Sequence, residues 1–234
     1  MSHAVNNRPI IAVTCLSFEA QVAAGPGIDV LCGTAQRYVD KLEAAVKAGG
    51  SGIISIGIAG GLAPGLNPGD WVIASGVVAE GIRIPTDNRW SQRLLQALPN
   101  AVYADISGVD APVVTESDKR TLHQSAGTVA VDMESHIAGR FAAANGLGFA
   151  ALRVVADPAG RVLPHAALVG MRSDGTIDLW AVLRSLAGRS TQVPALLRVA
   201  RDTFAARTSL RRGRRLLGPG FGLLDLGELQ LDVA

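Results

Sequence analysis

What most constrains this chain is a series of short, unbroken apolar runs, rich in β-branched residues and separated by segments of helical spacing or by Gly/Pro turns. PIIAVTC (residues 9–15) comes first, followed by residues 52–57, WVIASGVV (71–78), 100–106, 129–131 and 149–155. A strand without polar–apolar alternation is apolar on both sides and needs cover on both faces. Between the runs, residues 34–48 carry Tyr38, Leu42, Ala45 and Val46 at helical spacing and stop at Gly49 and Gly50. Shorter helices are predicted over 88–97, 118–125 (capped by Ser117) and 135–144, and two more over 177–186 and 193–206. Strands alternating with helices imply a three-layer α/β/α architecture with a central, largely parallel (mixed) twisted sheet.

The 234 residues fit one domain, read as residues 1–210, with an extension over 211–234. Net charge is only +2, so no nucleic-acid partner is expected. Cys15 and Cys32 lie in or beside apolar segments, as buried thiols of a reducing compartment do, and a cytoplasmic location is expected. Residues 1–8 are polar and carry no secretory leader pattern. The longest uncharged stretch, 48–69, contains eight glycines and two prolines, which argues against a spanning helix. His3, His123, His136 and His165 are scattered, so no metal site is expected.

Open α/β sheets bind ligands at the carboxyl ends of their strands, so the residues that follow each run are the informative ones. Glu19 follows the first, Gly57-Ile58-Ala59-Gly60-Gly61 the second, Val131-Asp132-Met133-Glu134-Ser135 opens a helix, and Asp157 follows the last. Each has a plain alternative: a tight turn for the glycines, a helix-start acid for Glu19, Asp132 and Glu134, and a turn former before Pro158 for Asp157. No GxGxxG or GxxxxGK[ST] pattern occurs, which removes support for dinucleotide and P-loop readings.

The order of the segments is more specific than any one of them. SIGIAGGLAPGLNPGDWVIAS, then VAVDMES, then ALRVVADPAG resembles the purine nucleoside phosphorylase and methylthioadenosine nucleosidase superfamily over residues 9–159. Within it, the VDMES form and the Ala- and Arg-rich composition resemble the hopanoid-associated phosphorylases. The resemblance implies cleavage of a purine N-glycosidic bond, and in the narrower case removal of adenine from adenosylhopane during hopanoid side-chain biosynthesis. A methylthioadenosine or adenosylhomocysteine nucleosidase, a general purine nucleoside phosphorylase, and a non-catalytic nucleoside-binding protein are the alternatives.

By the same resemblance, Asp157 would protonate or hydrogen-bond N7 of the purine. Glu134 would bind the ribose hydroxyls and favour an oxocarbenium-like transition state, Met133 would pack on the sugar, and Glu19 would stand near the nucleophile. Ala59, Gly60 and Gly61 would approach the substrate. Asp132 is a further candidate, with a side chain expected to point away from that of Glu134. No cofactor is implied, and inorganic phosphate is read narrowly ahead of water as the attacking group. Ser55 and Ile58 stand where phosphorolytic relatives carry anion-binding Ser and Arg side chains. The remaining phosphate donors are Gly33, Thr34, the 57–61 backbone, Arg37 and Ser55 itself.

Only thirteen residues separate Glu19 from Gly33, which implies an open ribose 5′ side able to pass a lipid-linked substituent. Arg207, Arg211, Arg212, Arg214 and Arg215 precede a Gly- and Leu-rich tail. Two readings stay open for this region: a packed surface extension, or contact with anionic lipid headgroups at the inner face of the membrane. The resemblance also implies a homo-oligomer.

Overall fold

Eight strands form one mixed sheet in the computed structural model, which describes residues 8–33, 35–164 and 193–223. The predicted helix over 177–186 lies outside these residues. In chain order the elements are β1 (Ile10–Thr14), α1 (Ser17–Ala23), β2 (Ile28–Cys32), α2 (Ala35–Lys47), β3 (Gly52–Gly61), β4 (Trp71–Ala79), β5 (Ile82–Pro85), α3 (Asn88–Ala97), β6 (Val102–Gly108), α4 (Glu116–Ala126), β7 (Ala130–Asp132), α5 (Ser135–Ala144), β8 (Gly148–Asp157) and α6 (Val193–Leu216).

The sheet closes on itself. β8 pairs in parallel with β3 and antiparallel with β4, completing a ring β3–β7–β6–β4–β8, while β1 and β2 extend it from β3 and β5 from β4. β1/β2, β1/β3, β4/β6 and β6/β7 are also parallel, whereas β3/β7 and β4/β5 are antiparallel.

Successive strand residues point to opposite faces, and here both faces are covered. Ile11, Val13, Ile53, Phe149, Ala151 and Val155 face one core, shared with Leu42 of α2 and Ala138 and Ala142 of α5. Ile10, Ala12, Ile54, Ile56, Leu152 and Val154 face the other, shared with Ala23 of α1, Trp90 and Leu94 of α3, and Ala206 and Leu210 of α6. These two cores are what the unbroken apolar runs predict.

Four expectations need correction. Residues 57–61 are not a loop but the end of β3, because β8 pairs with them as far as Gly60 and β7 with Gly60 and Gly61. α4 is capped by Thr115, not Ser117, since the Thr115 hydroxyl accepts from the Asp118 N–H at 3.0 Å. Residues 16–33, left without elements, hold α1 and β2: one is only seven residues long, the other an edge strand of mostly half-buried residues. Finally, β5 carries no apolar run that would mark it as a strand, because three of its four residues are exposed.

α6 runs unbroken across the boundary at 210/211 expected between domain and extension, and Leu217 and Phe221 beyond it are buried in the second core. The indole N–H of Trp90 donates to the Phe221 carbonyl at 2.7 Å, which ties this segment to α3. Among the described residues, no helix is long and apolar enough to cross a membrane.

Gly213 seats α6 on the sheet. A Cβ there would lie 2.1 Å from Cζ2 of Trp71. Helix propensity alone makes Gly→Ala favourable by about 1 kcal/mol, whereas overpacking costs about 1–3 kcal/mol. Packing against a rigid indole wins, so Gly213→Ala is expected to lower the urea unfolding midpoint; a raised midpoint would show that α6 is seated less tightly.

Candidate active site

All four predicted acids, Glu19, Asp132, Glu134 and Asp157, line one cavity of about 150 Å³, together with Met133, Ala59 and Gly60. Each comes from a different element. Glu19 sits in the first turn of α1, and its carboxylate turns back over the helix start: Oε2 accepts from the N–H groups of Cys15 (3.0 Å) and Leu16 (2.8 Å). Oε1 accepts from the N–H of Ile58 on β3 at 2.7 Å. Glu19 is therefore buried and fixed rather than a surface helix-start acid. Burial raises its pKa, against those three hydrogen bonds and the nearby charge of Arg153. Gly57 is required for this arrangement, since a Cβ there would stand 2.5 Å from Oε1 of Glu19 and 2.8 Å from Nη1 of Arg153.

Asp132, Glu134 and Ser135 close around Arg153. This fully buried arginine of β8 pairs through Nε with Asp132 Oδ2 at 2.6 Å. Its Nη2 donates to Ser55 and Ser135 and lies 3.7 Å from Glu134 Oε2. Asp132 Oδ1 accepts from the N–H groups of Glu134 (3.0 Å) and Ser135 (2.8 Å). The expectation that Asp132 simply points away from Glu134 is thus replaced: its carboxylate caps the chain at Glu134 and neutralises Arg153. Burial opposes ionisation of Asp132, but Arg153 and the Ser135 hydrogen bonds hold its pKa below the usual range. One guanidinium cannot neutralise three acids. Glu134 takes the consequence, with its pKa pushed up to about 7 by burial and by the charges of Asp132 and Glu19, against the pull of Arg153. Cys15, also on the cavity wall, stays a thiol, since burial and the neighbouring Glu134 and Glu19 push its pKa up.

Asp157 ends β8 just past a register shift opposite Ala59 and Gly60, and such a bulge re-aims the next side chain. Its Oδ2 accepts from the ammonium of Lys119 on α4, which also donates to the carbonyls of Pro158 (3.2 Å) and Arg161 (3.0 Å). Burial raises the pKa of Asp157, partly offset by Lys119.

The remaining candidates fall elsewhere. Gly61 pairs with Ala130 and does not line the cavity. Ser55 is buried behind it on Arg153, and Gly33 gives its N–H to the Thr14 carbonyl at 3.2 Å. Thr34 and the side chain of Arg37 lie outside what the structure describes. Sequence reasoning missed Arg153 and Lys119, and read Gly57 as part of a ligand loop rather than as the space in which Glu19 and Arg153 meet. Arg153 had a signal, as the one charge inside an otherwise apolar run; Lys119, in a polar helix, had none. Among the described residues, no group of three or more His, Cys, Asp or Glu is placed to hold a metal.

The raised carboxyl of Glu134 makes a stability prediction with a definite sign. A carboxyl that titrates near 7 when folded and near 4.5 when unfolded favours folding in its protonated form. That contribution is complete below pH 4.5 and lost as pH rises through 7. Glu134→Gln removes the titration, so the stability of Glu134→Gln relative to wild type is expected to climb between pH 4.5 and 7 in denaturant titrations. A flat difference would place Glu134 in a solvated setting.

The phosphorylase superfamily profile matches residues 16–184. Among solved structures, the 5′-methylthioadenosine/S-adenosylhomocysteine nucleosidase of Campylobacter jejuni has a TM-score of 0.64 at 14% identity, over 90% of this chain and 96% of that one. A mutant of the Helicobacter pylori enzyme with 5′-methylthioadenosine in its active site gives 0.62 at 14%, over 90% and 96%. Futalosine hydrolase of Helicobacter pylori gives 0.62 at 14%, over 92% and 97%. No curated protein matches the sequence at a significant level. The chain belongs to the phosphorylase superfamily and is an enzyme of its nucleoside phosphorylase and nucleosidase type.

Proposed function

We propose that this enzyme removes adenine from an adenosine-type nucleoside bearing an apolar 5′ substituent, and that water rather than phosphate attacks the sugar. One observation carries the choice of nucleophile: among the described residues, every charged side chain that lines the cavity is a carboxylate, namely Glu19, Asp132, Glu134 and Asp157. Arg153 and Lys119 stand behind these acids, bonded to them. The backbone donors nearest to hand, the N–H groups of Cys15, Leu16 and Ile58, are already spent on Glu19. Like charges about 4 Å apart near a protein surface repel by about 4 kcal/mol, so a phosphate dianion would meet repulsion without a matching donor. Water has no such penalty and needs only a base.

In this reading Glu19, ionised, takes a proton from water as the water oxygen bonds to C1′ of the ribose. The C1′–N9 bond breaks with its electron pair going to the purine, and Asp157 delivers a proton to N7. Glu134 binds the ribose hydroxyls beside the developing positive charge. The products are adenine and a free ribosyl sugar.

Val109, Pro112, Val113 and Leu163 give the cavity an apolar wall, which suits a hydrocarbon group on C5′. Solved relatives act on 5′-methylthioadenosine and S-adenosylhomocysteine; the resemblance to hopanoid-associated phosphorylases makes adenosylhopane the first substrate to test. The outer face of α6 supports a lipid-side approach. Leu197, Arg201, Phe204, Arg211 and Arg215 fall on one stripe at helical spacing, with Leu197 65% and Phe204 71% exposed. Each basic residue near an anionic membrane adds about 1 kcal/mol of attraction.

Adenine release from a panel of 5′-substituted adenosines, with and without phosphate, tests the reading. Release is expected at undiminished rate in phosphate-free buffer, with no ribose 1-phosphate species formed when phosphate is added. A requirement for phosphate would overturn the choice of water, and equal or better turnover of methylthioadenosine would overturn the apolar 5′ group. Asp157→Asn is expected to cost about 10²- to 10⁴-fold in kcat/KM.

A further inference from the structure

Lys119 is the one buried residue of α4, whose other residues are exposed or half-buried. An ammonium has three protons to donate, and three acceptors surround this one: Asp157 Oδ2, the Pro158 carbonyl and the Arg161 carbonyl. None is left for a ligand, and Lys119 does not line the cavity. Whatever it contributes to chemistry, it contributes through Asp157.

The arrangement commits one oxygen of Asp157. Oδ2 is held by Lys119, and the whole carboxylate lies against Gly60, where an added Cβ would come 3.4 Å from Oδ1 and 3.5 Å from Oδ2. Asp157 is the last residue of β8, paired with Gly60 of β3, and the chain leaves the sheet after it. Lys119 ties the carboxylate and that turn, through residues 158 and 161, to a single point on α4.

We propose that Lys119 is a positioning residue of this enzyme, clamping Asp157 so that one carboxylate oxygen is aimed at the purine and the 158–161 turn is held beside it. This rests on the reading of Asp157 as the group that protonates the base. A second consequence is electrostatic. Burial drives the Asp157 carboxyl up, and the charges that oppose it are Lys119 from α4 and, more weakly, Arg161 from the following turn, itself paired with Asp202 of α6 at 2.6 Å. Glu134 of the β7–α5 junction and Glu19 of α1 share the cavity with it. Lys119 therefore sets where Asp157 titrates as well as where it points.

The test is the pH profile of adenine release by the full chain for wild type, Lys119→Met, Lys119→Arg and Asp157→Asn, with thermal unfolding as the fold control. An acid that must be protonated loses activity as pH rises through its pKa. Removing the ammonium is expected to move that alkaline limb upward by about 1–3 pH units. Misplacing the carboxylate is expected to lower kcat on the order of 10²-fold, with KM changed less. Lys119→Arg keeps the charge but not the geometry, so its limb stays near that of wild type while kcat falls. Should Lys119→Met not fold, Lys119→Gln, which keeps two donors without the charge, carries the same expectation. A Lys119→Met or Lys119→Gln profile that overlays wild type with kcat within about twofold overturns the proposal. Full activity in Asp157→Asn would instead overturn the reading of the site on which the proposal rests.

Discussion

The ion pair between Arg153 and Asp132 is the interaction on which the rest of the site depends. A fully buried guanidinium inside an apolar strand is stable only if its charge is neutralised and its donors find acceptors, and removing one partner of such a pair typically costs about 3–5 kcal/mol. Asp132 neutralises it, Ser55 and Ser135 accept from it, and Glu134 and Glu19 lie within its field. Three carboxylates compete for one cation, and geometry decides the ranking. Asp132 has the direct contact and stays ionised, whereas Glu134, at 3.7 Å and beside two other acids, is driven toward neutrality. Environments that push like groups apart are how one cavity holds acids in different roles.

The same arrangement recurs at Asp157. Arg153 backs Asp132 and Glu134, and Lys119, on α4, backs Asp157. Neither cation reaches the cavity. A ligand entering it therefore meets carboxylates whose countercharges lie behind them, outside the cavity lining, an arrangement suited to a group that becomes positive and ill suited to an anion. Gly57 permits the closest approach of these layers, since Glu19 and Arg153 meet across the space that its missing side chain leaves open.

How much of this the sequence discloses follows from which interactions are local. The apolar runs require strands covered on both faces, and β1, β3, β4 and β8 with their two cores follow directly. Helix α3 and helix α5 are legible to the residue from spacing and stops. What stays hidden is set by distant partners. That residues 57–61 are strand depends on β7 and β8 pairing with them, and glycines alone suggest a turn. Glu19 reads as a surface acid until its bonds to Cys15, Leu16 and Ile58 are seen. Lys119 looks like any solvated helix lysine, because nothing near it in sequence marks the carboxylate 38 residues away that buries with it. Arg153 was readable in principle: a lone charge in a run that must be covered on both faces needs a buried partner, and VDMES offers the acids.

Ring closure is what delivers that partner. β3 and β8 run in parallel with Gly57 beside Arg153, so their carboxyl ends reach the same edge of the sheet. β7 comes down antiparallel to β3, from Ala130 opposite Gly61 to Val131 opposite Gly60. Continuing that direction carries Asp132 and the following chain back along β3 toward the level of Gly57, where Arg153 waits. A parallel β7 would carry the same acids past the sheet edge and leave the arginine unneutralised. The mixed character of the sheet is thus the reason that a charge can be buried at position 153 at all, and with it the reason that Glu134 faces the cavity beside Glu19.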